Sequence, residues 1–291
     1  MKRFLMATGA CLLSLPALAL ATMPNTPSIE IFPPKPTQGD PLIIKIYGQG
    51  VSLESVAKIR FNGKLLWFFS DNSDKKAPTA FYGIDLNHKT GSFAVSVEME
   101  NGKIYSKTVE ISPRKKYEAP LPIPEKLGGN TKESASKLVL ELSKENAVIN
   151  SVFSAGKRYW RESFRYPLDL VEITDEYGYG RNTVQYTIPH KGADFRASEG
   201  TPVRAINRGV VRLARFLPTY GNTVAIDHGL GLVSYYMHLS KIGVKEGRLA
   251  QAGQAIGLSG STGYATGAHL HLSVKIYGIS IDPIMFLELS K

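Results

Sequence analysis

The chain has 291 residues, 43% of them hydrophobic and 21% charged, with 35 Lys and Arg against 25 Asp and Glu and a single cysteine. That length predicts two domains with a core in each, and the composition excludes a wholly disordered chain, a collagen-like repeat and a long coiled coil. The positive excess suits an anionic partner, but no zinc finger, RNP-like motif or basic helix singles out nucleic acid, so an anionic envelope polymer fits better, beside the plainer reading that the charge keeps the surface soluble.

Residues 1–21 read as an export signal: Lys2 and Arg3, an apolar run from Phe4 to Leu15, then Ala17, Ala19 and Ala21 at signal-peptidase spacing. The run is short for a membrane span and no second one follows, so no transmembrane segment is expected after cleavage, with an uncleaved anchor as the rival. Thr8-Gly9-Ala10 is a poor lipidation box for Cys11. Loss of the leader removes Cys11 and leaves 33 positive against 25 negative side chains, with no thiol or disulfide. The expected location is the periplasm or cell envelope.

From 28 to 112, strand-length runs rich in Ile, Val, Phe and Tyr are predicted at Pro41–Tyr47, Val56–Phe61, Lys64–Phe69, Ala80–Ile84, Ser92–Met99 and Ile104–Ile111. Asn62-Gly63 and Asn101-Gly102 are hairpin signals. About seven strands in this span predict an immunoglobulin-like β-sandwich.

Residues 113–150 predict a proline-rich linker and a helix. Pro113, Pro120, Pro122 and Pro124, followed by Gly128-Gly129, favour an extended connection over packed secondary structure. Asn130 is placed to cap the helix, Glu133 to reach back, and Ala135, Leu138, Val139 and Leu142 form one apolar stripe that implies docking on a domain.

Residues 151–291 predict a second, antiparallel β domain with glycine-rich turns and five of the six histidines. Val203–Ala214, Asn222–His228, Leu232–His238 and His269–Tyr277 read as strands. In an extended chain, side chains at even spacing share a face. His190 and Asp194 therefore point the same way across Gly192, and so do His269 and His271, with Leu270 in the core. His238 ends a strand of its own. Imidazoles and a carboxylate are ordinary zinc ligands, and a catalytic zinc takes three protein ligands plus a water. Two histidines and Asp194 supply that set and leave two histidines over. Each motif alone is common by chance, and His228 at a hairpin tip reads as a hydrogen-bonded structural residue. No H-E-x-x-H, G-x-S-x-G or phosphate loop is present.

The stretch His190 to Pro283 resembles the catalytic domain of lysostaphin and LytM-type zinc endopeptidases, which cut peptides of the bacterial cell wall. The matching text is HKGADFRASEGTPVRAINRGVV, YGNTVAIDHGLGLVSYYMHLS and AGQAIGLSGSTGYATGAHLHLSVKIYG, closed by Asp282-Pro283. The resemblance implies a largely antiparallel fold with a groove over the metal, with His190, Asp194 and His271 as zinc ligands and His238 and His269 as catalytic histidines. It also implies zinc-assisted hydrolysis in the stem or crossbridge peptides of peptidoglycan. His269 would be the general base, and His238 would orient the water or donate to the oxyanion, roles that are open to exchange. Tyr179-Gly180-Arg181 resembles the family's approach to this domain, which supports a start near Ser151. Tyr186 lies near an upstream assisting residue of some members, without a secure alignment. Tyr264, in the glycine-rich loop Gly260 to Gly267, either lines the groove or serves a plain turn.

Alternatives are a noncatalytic activator of wall amidases, as some relatives are, and a non-haem iron site. The N-terminal region would target the wall, or cover the groove until a regulatory envelope protein moves it. No residue selects between D-amino-acid stem bonds and glycine–glycine bonds.

Overall fold

The computed structural model describes residues 26–71 and 76–291. The export-signal expectation for residues 1–21, Cys11 included, lies outside the described residues. The chain is mainly β, as its sequence leads one to expect.

β1 (Ser28–Phe32), β2 (Pro41–Tyr47), β3 (Val56–Phe61), β4 (Lys64–Leu66), β5 (Phe68–Ser70), β6 (Pro78–Gly83), β7 (Gly91–Met99) and β8 (Ile104–Ile111) form two four-stranded antiparallel sheets. Their orders are β1-β2-β6-β5 and β4-β3-β7-β8. Alternate side chains of both sheets, such as Leu42, Ile44 and Ile46 against Ile59, Val95 and Val97, enclose one buried cluster. The expected single strand Lys64–Phe69 is two strands in different sheets. Leu66 and Phe69 are both buried, three residues apart, and one straight strand cannot bury both on one face. The chain turns at Trp67, whose N–H donates to Tyr277 Oη at 2.8 Å.

The linker also departs from expectation, because β9 (Glu118–Pro120) is paired and not merely extended. The helix α1 (Lys132–Asn150) is capped by Thr131, whose hydroxyl accepts from Ser134 N at 3.1 Å. Asn130 does not cap, since its side-chain oxygen accepts the Ile123 N–H at 2.6 Å.

The remainder comprises β10 (Ile173–Asp175), β11 (Gly180–Asn182), β12 (Thr187–Pro189), β13 (Ala193–Arg196), β14 (Pro202–Arg204), β15 (Gly209–Leu217), β16 (Gly221–Gly229), β17 (Leu232–Leu239), β18 (Lys241–Ile242), β19 (Leu249–Ala250), β20 (Ala255–Leu258), β21 (His269–Ile276), β22 (Ile279–Ile281) and α2 (Pro283–Leu289). The main antiparallel sheet runs β10-β13-β21-β17-β16-β15-β19, with β22 beside β21. Two small sheets, β12-β11-β9 and β14-β20-β18, flank it, and β9 pairs parallel with β11. The expected strand Val203–Ala214 divides into β14 and β15. Between them Ala205, Ile206 and Asn207 are fully buried, and Asn207 Nδ2 donates to the carbonyls of Glu162 and Ser163.

The two halves share a core. Ile43, Phe69 and Phe81 of the first join the same buried cluster as Trp160, Phe164 and Phe286 of the second. Phe69 meets Trp160 edge-on at 5.0 Å between ring centres. Arg114 also ties Asp40 of the first half to Asp282 of the second.

Candidate metal centre and groove

Pairing of β13 with β21 sets Asp194 directly opposite His271, and His190 enters from the loop before β13. One ligand atom from each of the three lies within 4.8 Å of the others. His271 Nδ1 is 2.7 Å from Asp194 Oδ1, His190 Nε2 is 3.0 Å from His271 Nδ1, and His190 Nε2 is 3.2 Å from Asp194 Oδ1. All three residues are buried.

The surrounding hydrogen bonds fix which atoms carry protons. His190 Nδ1 donates to the Glu176 carbonyl at 2.8 Å, so its Nε2 offers a lone pair. Ser273 Oγ spends its proton on the Lys191 carbonyl at 2.8 Å and so accepts from His271 Nε2–H at 2.9 Å, which leaves His271 Nδ1 as a lone pair. Arg181 Nη2 takes Asp194 Oδ2 at 2.5 Å and is itself held by Asp175, so Oδ1 is the free oxygen. Three acceptor atoms thus converge with no proton of their own between them. Such a cluster is repulsive unless a cation sits at its centre. Two nitrogens and one oxygen are a zinc-type donor set, and a tetrahedral ion with bonds of ~2.0–2.1 Å holds its ligands about 3.3 Å apart, close to the separations here. The residues fit a zinc ion.

Electrostatics agree with this arrangement. Burial pushes the His271 imidazole down to about 4, even though Asp194 acts to raise it.

The two remaining histidines stand on the same side. His238 and His269 ring centres are 4.8 Å apart, and His238 is 6.0 Å from His271. His238 Nδ1 donates to the Thr262 carbonyl and His269 Nδ1 to the Gly267 carbonyl, each at 2.9 Å. Both therefore present a free Nε2, that of His269 lying 3.8 Å from Asp194 Oδ1. Burial, then the neighbouring His269 and His271, push His238 down to about 3. The structure brings together all five residues predicted from sequence. His228 lies elsewhere, fully buried, with both ring nitrogens bonded, to Arg208 O at 3.0 Å and Ser234 Oγ at 2.8 Å.

A groove of about 760 Å³ runs past His190, His238 and His271. Leu138, Leu142 and Asn146 of α1 form one wall, and Tyr186 and Tyr264 also line it. The helix is pinned there by buried Glu145, which accepts the N–H groups of Thr219 at 2.6 Å and Tyr220 at 3.0 Å. Sequence reasoning did not single out Arg181, Ser273 or the helix wall as parts of this site. Ser273 was within reach, since period-two alternation from His269 places it on the same face as His271. Arg181 and α1 come from distant segments and carry no spacing signal.

Residues 188–283 match the model of peptidase family M23. A peptidoglycan DD-endopeptidase of Vibrio cholerae, ShyA, is 37% identical over 165 residues, covering 54% of this chain and 38% of that protein. A DD-carboxypeptidase/endopeptidase of Neisseria meningitidis, Mpg, is 39% identical over 119 residues, covering 40% of this chain and 27% of that one. The chain thus spans well under half the length of these curated relatives. Among solved structures, a Pseudomonas aeruginosa protein described as a peptidase M23 superimposes with a TM-score of 0.60 at 26% identity, covering 87% of this chain and 95% of that one.

Proposed function

From the membership of residues 188–283 in peptidase family M23, we propose that the whole chain is a zinc-dependent endopeptidase of peptidoglycan peptides, working in the bacterial envelope. The observation that carries this reading is the convergence of three proton-free acceptor atoms beside two further imidazoles in an open groove. His190, Asp194 and His271 hold the ion, which when bound acidifies a water and polarises the scissile carbonyl.

The protein's own residues do the rest. His269 is about a fifth exposed and keeps Nε2 free, so it takes the proton of the attacking water and passes it to the leaving amine. His238, pinned by Thr262 through Nδ1, can only accept at Nε2 while neutral. That geometry supports orientation of the water over donation to the oxyanion. Arg181 is a positioning residue that occupies Asp194 Oδ2 and so presents Oδ1 to the ion.

The order β1-β2-β6-β5 against β4-β3-β7-β8 supports an immunoglobulin-like module over residues 28–112, since it keeps the two-sheet strand arrangement of that fold. The leader pattern of residues 1–21 supports export, and no helix among the described residues is long and apolar enough to cross a membrane.

The test is zinc content and muropeptide release from purified sacculi, for the chain from residue 22 onward and for His190→Ala. About one zinc per chain with new amino termini, both lost in the variant, is the expected result. Zinc without any cleavage would replace the enzyme reading with that of an activator.

A further inference from the structure

β21 carries more than the ligand and the base. Alternation puts His269, His271, Ser273 and Lys275 on one face, and His271, Ser273 and Lys275 all line the groove. At a strand rise of about 3.3 Å per residue, Lys275 stands roughly 13 Å along the groove from His271. The residue is largely buried, 9% exposed, yet among the described residues no carboxylate lies within ion-pair distance of its ammonium. Its hydrogen-bond partner is a neutral amide oxygen, Asn150 Oδ1 at 2.6 Å, and the Tyr235 ring lies 5.8 Å away. Lys191, a second cation on the groove wall, makes no ion pair either. The charge of the third, Arg181, is already met by Asp175 and Asp194. A partly desolvated ammonium near a second positive charge is unfavourable unless a negative group arrives. The strain is visible in Lys275 itself, which burial, then Lys191, push down to about 8.

We propose that Lys275, assisted by Lys191, is a carboxylate-binding subsite that selects substrate peptides bearing a free carboxylate some four residues from the bond cut. This rests on the endopeptidase reading of the same groove and deepens it. Stem peptides built from dicarboxylic residues carry such groups, whereas a glycine bridge offers none. The subsite therefore directs the enzyme to acidic stems. Asn150 orients the ammonium from the end of α1, so the helix wall and the subsite are one construction.

The test uses the zinc-loaded chain from residue 22 onward and two soluble ligands. One is a cross-linked stem-peptide dimer with free carboxylates, and the other is the same dimer with those groups amidated. Binding is read by calorimetry and cleavage separately by mass. The wild type is expected to bind the acid about tenfold tighter than the amide. Lys275→Met should abolish that preference with affinity for the amide and zinc content unchanged, and Lys275→Arg should retain it. Equal affinity for acid and amide, no binding of either, or a preference that survives in Lys275→Met would overturn the subsite. Preference without cleavage would instead sink the hydrolase reading and leave the subsite standing.

Discussion

At Gly192 an added Cβ would stand 2.4 Å from His271 Nε2 and 2.5 Å from the Leu272 carbonyl oxygen. Both neighbours are fixed, the ring by Ser273 and the carbonyl by the sheet. Gly192→Ala must therefore displace His271, a proposed ligand, and the expected outcome is loss of bound zinc measured by competition with a chelator. Ser273→Ala and Arg181→Met act more gently. Each removes the partner that orients a ligand atom, and supporting contacts of this kind are worth about 10–100-fold in metal affinity. Both variants should keep their fold by circular dichroism while zinc affinity falls in that range. Unchanged affinity in Arg181→Met would show that Asp194 needs no such anchor.

Two elements outside the β-rich second half support its site. α1 walls the groove and buries Glu145 against two backbone N–H groups, and β9 extends the sheet whose middle strand carries Arg181. Glu145→Ala leaves the buried Thr219 N–H and the part-buried Tyr220 N–H without an acceptor, at a cost of about 1–3 kcal/mol. Thermal unfolding should report that loss, with zinc content unaltered because no ligand is touched. A fragment of residues 151–291 forfeits both elements. Compared with residues 22–291, it should unfold at lower temperature and cleave more slowly. Faster cleavage by the short form would mean that α1 obstructs the groove instead of shaping it.

Over the whole molecule, the shared aromatic core makes the two halves one unfolding unit. Trp160 is buried between Phe69, Phe81 and Phe164, and Trp160→Ala should cost about 3–5 kcal/mol. It should also split a single calorimetric transition into two. Acid should weaken the fold through His228, which burial pushes down to about 4 from its ordinary 6.5. Because the folded state resists protonating this ring, the unfolded state binds more protons between those values. Stability is therefore full above about pH 6.5 and is lost as pH falls toward about 4, by roughly 3 kcal/mol from this group. His228→Gln should flatten that part of the curve in denaturant titrations across pH.

Local pattern was enough for the β class and for a set of histidines and an aspartate able to hold a metal, while the roles of the five named residues came from the family resemblance. Period-two alternation records which strand face is buried, and it gives His269 and His271 of β21 their common face, whereas His190 reaches the cluster from the loop before β13. Breaks in strands were not legible, because Trp67 and Asn207 mark corners through bonds to Tyr277 and to Glu162 and Ser163, far away in sequence. The cap of α1 departs from its sequence expectation for the same reason, since the Ile123 N–H claims Asn130. What the sequence determined by itself was the alternation, and with it the β class and the ligand spacing. Only the tertiary structure decided that α1 walls the groove, that β9 extends the sheet carrying Arg181, that Arg181 anchors Asp194, and that both halves share a core. Each of those rests on contacts between distant segments, and a pattern of neighbours along the chain holds no record of them.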